Sequence, residues 1–143
     1  MTDRVYYQPK PMEVFISARW HRQRQIFEWC KASFGEKSLA LPQCGIRMLE
    51  EAIELAQAVG VDPAMAHKLI DFVYARPKGS VAQELGDVGV CVAALAEAAG
   101  LDADQCEVLE FERVLSKPTS HFAARNEAKN AAGFDTSLVE SKP

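Results

Sequence analysis

Two pairs of acids stand at a spacing that can do chemistry. Glu51 and Glu54 lie in the segment Arg47-Met48-Leu49-Glu50-Glu51-Ala52-Ile53-Glu54-Leu55, and Glu84 and Asp87 lie in Glu84-Leu85-Gly86-Asp87-Val88. On a helix, positions i and i+3 share a face, so each pair presents two carboxylates one above the other. A lone pair of this kind on a charged helix face is ordinarily a solvated surface. The second pair is placed differently, because Asp87 is the only charged residue between Leu85 and Ala96. On a helical wheel Glu84 and Asp87 line up with Val88, Cys91, Ala94, Leu95 and Ala98, so they extend an apolar stripe. Buried carboxylates are costly unless paired or bound to a cation, and no Lys or Arg stands one turn away within that segment. If the two helices pack antiparallel, four carboxylates converge, and a divalent cation relieves their repulsion. An all-oxygen ligand set selects a hard ion, Mg2+ or Mn2+. A di-iron bundle carries Glu-x-x-His pairs, but Gln57 and Val90 occupy the corresponding positions, which argues against iron. Removing the four acids would bring the formal charge from −4 to zero.

Helices have to position these acids, and the sequence supplies helices from end to end. Pro11 to about Phe34 spaces Val14, Ile16, Trp20, Ile26, Phe27, Trp29 and Phe34 as an amphipathic helix that Gly35 can stop. Pro42 can open a second helix running to Gly60. Asp62-Pro63 is a cap with a first-turn proline for a third helix, which Arg76-Pro77-Lys78-Gly79 breaks. Ser80, with Gln83 three residues on, reads as a capping box for a fourth helix that ends at Gly100. Asp102 caps a fifth from about Ala103 to Leu115, and Thr119 or Ser120 starts a last one that stops near Gly133. Alternating Val/Ile/Thr-rich runs with hairpin turns are missing. The expectation is one all-α domain over 1–143, loosely ordered at 1–10 and 135–143.

Composition narrows the function classes. A chain of 143 residues, 48% apolar and 25% charged, is long enough to bury a core without disulfides or a structural metal. The longest apolar run, Val88 to Ala96, is too short for a bilayer, which needs about 20 residues. The start, Met-Thr-Asp-Arg-Val-Tyr-Tyr-Gln-Pro, has no hydrophobic core of a signal peptide. A cytoplasmic protein without membrane partners is expected. Basic residues are scattered, as in Arg19, Arg22 and Arg24, so no nucleic-acid partner is expected. Cys30, Cys44, Cys91 and Cys106 form no C-x-x-C motif and have no histidine at zinc-ligand spacing; they read as reduced thiols.

The pattern E-x-x-E followed by E-x-x-D on helices resembles the MazG-like nucleoside triphosphate pyrophosphohydrolases of the all-α NTP pyrophosphohydrolase group. The match rests on Arg47-x-x-Glu50-Glu51-x-x-Glu54-Leu55 and Glu84-Leu85-Gly86-Asp87-Val88, with Leu95-Ala96 and Gly100-Leu101-Asp102 as flanking text, across about residues 40 to 133. The resemblance implies a helical bundle completed by oligomerisation, a homo-dimer or homo-tetramer. It implies a Mg2+-dependent enzyme, Mn2+ being an alternative ion, that cuts an NTP or dNTP between the α and β phosphates to give the monophosphate and pyrophosphate. Glu51, Glu54, Glu84 and Asp87 match the metal ligands, and Glu50, with Glu51, the acids that can act on the attacking water. In the last helix, Asn126 and Lys129 of Arg125-Asn126-x-x-Lys129-Asn130 match residues that reach the phosphates, with Arg47 and Lys78 as weaker candidates. Trp20 can stack on a base, although an aromatic on an amphipathic helix is more often core. Phosphoribosyl-ATP as substrate, or a non-catalytic helical module that binds nucleotide or protein, are the competing readings.

Overall fold

A computed structural model of the chain describes residues 12–135, with side chains from residue 18 onward. All regular structure among these residues is helical, and no strand occurs. The helices are α1 (Met12–Phe34), α2 (Leu41–Ala58), α3 (Pro63–Tyr74), α4 (Val81–Ala99), α5 (Ala103–Leu115) and α6 (Thr119–Lys129). Apart from Asp135, the ends expected to be loosely ordered lie outside the described residues.

The caps read from the sequence sit where expected. Asp62, Ser80 and Asp102 accept the amides of Met65, Gln83 and Gln105 at 3.0, 3.3 and 2.8 Å, each satisfying a donor that the first helical turn leaves without a partner. Gly35 and Gly100 follow α1 and α4 at φ 80° and 70°, a left-handed conformation that a Cβ disfavours. Two local features depart from the reading. A short 3-10 helix, Glu36–Leu39, follows α1, tied by a 2.6 Å bond from the Ser38 hydroxyl to the Gly35 carbonyl. Beyond Lys129, α6 widens into a π-type turn over Asn130–Phe134, interrupted at Gly133, φ 97°.

The chain divides into two compact units. One contains α1, the 3-10 helix, α6 and the π-type turn, and α6 packs on α1. Its centre is aromatic: Trp29 meets Phe122 edge-on at 5.0 Å, Phe34 meets Trp29 at 5.5 Å, and Phe34 meets Phe122 at 6.3 Å. Such edge-to-face pairs add about 0.5–1.5 kcal/mol each to the burial of the rings. Phe122, Ser33 and Ser38 are buried in this unit.

The other unit, residues 41–118, contains α2 to α5, with α5 packed on α4. Its helices leave much of their apolar surface open. Leu85 is 71% exposed and Val90 69%, while Leu49, Ile53, Leu69, Phe72, Val88 and Val92 are exposed as well. A helix as apolar as α4 is ordinarily covered on every side, yet within one chain only its Leu95 and Ala96 are half-buried. No helix among the described residues is long and apolar enough to cross a membrane.

Candidate functional site

Both acid pairs fall on helices of the same unit. On α2, Ile46, Leu49, Ala52, Ile53, Ala56 and Val59 gather in one arc and Arg47, Glu50, Glu51 and Glu54 in another. Glu51 and Glu54 are exposed, while Arg47 and Glu50 are half-buried. On α4, Glu84 sits in the first turn and Asp87 one turn later, both exposed. The first turn of a helix favours a carboxylate, because its free N–H groups carry partial positive charge.

Gly79, just before α4, makes room for Glu84. A Cβ at Gly79 would lie 1.9 Å from Glu84 Oε1, so the carboxyl rests where only a glycine leaves space. A side chain here would push the flexible Glu84 head to another position. The spacing of Gly79 and Glu84 in the sequence gave no sign of this approach, because it depends on the turn that α3 and α4 share.

The donor set suits a hard divalent cation: four carboxylates and no sulfur or imidazole among them. Among the described residues no three His, Cys, Asp or Glu side chains gather closely enough to hold an ion. The unit as a whole is strongly acidic. Residues 41–118 hold six Lys and Arg against thirteen Asp and Glu, whereas the rest of the chain holds ten against seven.

The remaining candidates belong to the other unit. Asn126 and Lys129 lie on α6 and are half-buried, and Arg125 beside them is exposed. Asn130, one turn beyond Asn126, has a buried Oδ1 without a hydrogen-bond partner. In the sequence Asn130 is marked only by its place one turn from Asn126. Trp20 is 52% exposed, so it is not a core residue, and the Arg24 guanidinium stands over its ring at 5.7 Å. Lys78 and His67 are exposed, and His121 is exposed with its ring edge-on to Phe122 at 5.1 Å.

Among the described residues a perturbed ionisable pair lies on α5, the helix after the one that carries Glu84 and Asp87. Arg113 donates from Nε to Glu110 Oε2 at 2.7 Å and from Nη2 to Oε1, a two-bond fork. That hydrogen bonding lowers the Glu110 carboxyl below its ordinary value of 4.5 and raises the Arg113 guanidinium. The pair is a solvated brace one turn apart on α5.

No protein-family model matches the sequence, and no curated protein or solved structure shows a significant match to it.

Proposed function

We propose that the chain is a Mg2+-dependent nucleoside triphosphate pyrophosphohydrolase of the MazG-like type, acting in the cytoplasm. One observation carries the proposal. Two i, i+3 carboxylate pairs, Glu51/Glu54 and Glu84/Asp87, stand on two helices of one compact unit, the second pair on a helix with no other charge before Glu97. The excess of acid in that unit supports a site for divalent cations, which would in turn offset the charge of a phosphate ligand.

In this reading Glu51, Glu54, Glu84 and Asp87 hold the ion. When bound, Mg2+ supplies neutralisation of the phosphate oxygens and of the departing pyrophosphate. The chain's own residues do the rest. Water divides across the Pα–O–Pβ bridge: its oxygen goes to one phosphorus, the bridge bond breaks, and the Glu50–Glu51 pair takes the proton. Asn126 and Lys129 contact phosphate oxygens, Arg47 balances charge beside the acids of α2, and Trp20 stacks on the base.

The proposal includes a homo-dimer or homo-tetramer. The exposed apolar faces of α2 to α5 support it, because a helix as apolar as α4 gains about 25 cal/mol for each Å2 it covers. Light scattering is expected to show no monomer at micromolar protein, and a monodisperse monomer would overturn this part.

The test of the activity is a panel of NTPs and dNTPs, with phosphoribosyl-ATP beside them, each with Mg2+, Mn2+ or EDTA, and products identified. Monophosphate plus pyrophosphate, lost in EDTA, is the expected result. Orthophosphate plus diphosphate would contradict the cleavage position, turnover of phosphoribosyl-ATP alone would change the substrate, and no turnover at all would leave a binding module.

A further inference from the structure

Gly79 is a glycine that the backbone does not ask for. Gly35, Gly60, Gly100 and Gly133 stand at φ between 70° and 97°, where a side chain is strained, whereas Gly79 lies outside that region. It stands one position before the cap Ser80, at a place where glycine costs more chain entropy than any other residue.

What the missing side chain leaves is room for Glu84. An added Cβ would lie 1.9 Å from Glu84 Oε1, 2.9 Å from its Cδ and 3.3 Å from its Cγ, so the outer half of that side chain runs along Gly79. No other of the eight glycines would bring a Cβ within 4 Å of anything beyond its chain neighbours and its own helix. To reach ordinary contact with a Cβ, Oε1 would have to retreat by about 1.5 Å. It is the free end of a flexible chain, so the retreat costs the fold little. For a carboxylate that has to meet an ion the same retreat is large. A hard divalent ion such as Mg2+ keeps its oxygens at about 2.0–2.1 Å and tolerates departures of about 0.2 Å. Helical side chains lean toward the N-terminus, so Glu84 lies back over the start of α4, with Asp87 one turn behind it on the same face.

We propose that Gly79 is a positioning residue for the candidate cation site: by bearing no side chain, it lets the Glu84 carboxyl lie where it serves, with Asp87, as an ion ligand. The proposal rests on the reading of Glu84 and Asp87 as ligands. It adds that the residue five positions before Glu84 sets the strength of ion binding without touching the ion.

The test is a Mn2+ titration of the full-length chain followed by electron paramagnetic resonance, alone and with a nucleotide blocked at the α–β bridge. Thermal melts of the same samples are taken without the ion. Gly79→Ala is expected to weaken Mn2+ binding about tenfold or more, as loss of a group that orients a metal ligand does. It should melt at or slightly above the parent, because alanine restricts the unfolded chain. Gly45→Ala on α2, where a Cβ meets nothing within 4 Å, leaves binding unchanged. Glu84→Ala also weakens binding, and Gly79→Ala added to it causes no further loss, since the carboxyl it would displace is gone. Mn2+ bound equally by wild type and Gly79→Ala would overturn the positioning role and leave the cation site standing. A further loss in the double variant, or an early melt that persists in it, would mean that the Cβ disturbs the backbone, and would overturn the role as well. A wild type that binds no Mn2+ under either condition would sink the cation site itself and the role with it.

Discussion

The unit built on α1 and α6 and the unit built on α2 to α5 hold together in opposite ways. The first is closed by three rings, Trp29, Phe34 and Phe122, whose edges and faces meet within 5.0–6.3 Å. The second carries both acid pairs, yet Leu85, Val90 and Phe72 remain open along its helices. The contrast separates a unit closed by its rings from one that carries both acid pairs. The aromatic unit gathers its rings among its own side chains, while the acidic unit leaves large apolar side chains exposed. Damage to the first should unfold, and damage to the acids of the second should silence.

The largest effect expected is on turnover. Glu54→Gln or Asp87→Asn should lower kcat about a thousandfold or more, by loss of charge stabilisation in the reaction, with unchanged helical dichroism. Retained activity in either variant would detach the acids from the chemistry. Phe122→Ala should do the reverse: it should cost about 3–5 kcal/mol and lower the melting midpoint by roughly 10 °C. A small shift would mean that the aromatic centre is not what closes this unit.

Leu85→Ala separates the two modes of burial most sharply. At a residue 71% exposed within one chain, truncation of a true surface leucine changes stability by less than about 0.5 kcal/mol. If a second copy covers α4, the cost rises to about 2 kcal/mol or more, and melting becomes dependent on protein concentration. The account predicts the second outcome, which calorimetric melts at two concentrations would check.

How much of this was legible in the sequence follows the range of the interactions. The helix limits were legible because their signals are local: Asp62, Ser80 and Asp102 each cap a backbone amide three residues on. The 3-10 helix at Glu36–Leu39 was not, since it depends on the turn that Gly35 makes and the Ser38 bond to its carbonyl. The trio of rings was also hidden. Phe122 is far along the chain from Trp29 and Phe34, and periodicity says that a ring faces inward, not which ring it meets. The acid pairs were visible as pairs because i, i+3 spacing is itself geometry. Whether four carboxylates converge is set by how α2 and α4 are covered, a property of packing that no window of sequence contains.

Smaller effects refine the same contrast. Asp102→Ala removes the acceptor for the Gln105 amide and should cost about 1 kcal/mol, read as a modest fall in melting midpoint with activity kept. A loss of activity as large as that of Glu54→Gln would mean that the acidic unit tolerates no local fraying. Glu110→Gln should do least. The Glu110 carboxyl is lowered in the folded chain by its bond to Arg113, so its contribution is present above the ordinary value of 4.5. That contribution is lost as pH falls through the lowered folded value. The variant should therefore melt slightly below the parent at pH 7 and match it at strongly acidic pH. A gap that widens on acidification would contradict this sign.

The central claim is that Glu51, Glu54, Glu84 and Asp87 form a site for a divalent cation. Electron paramagnetic resonance of Mn2+ tests it most directly, titrated into wild type and into Glu54→Gln and Asp87→Asn, with and without a nucleotide blocked at the α–β bridge by a methylene group. The account predicts that wild type depletes the free Mn2+ signal stoichiometrically, that Mg2+ competes, and that both variants leave the signal free. Wild type that leaves Mn2+ free even with the blocked nucleotide, or variants that bind it equally well, would contradict the account.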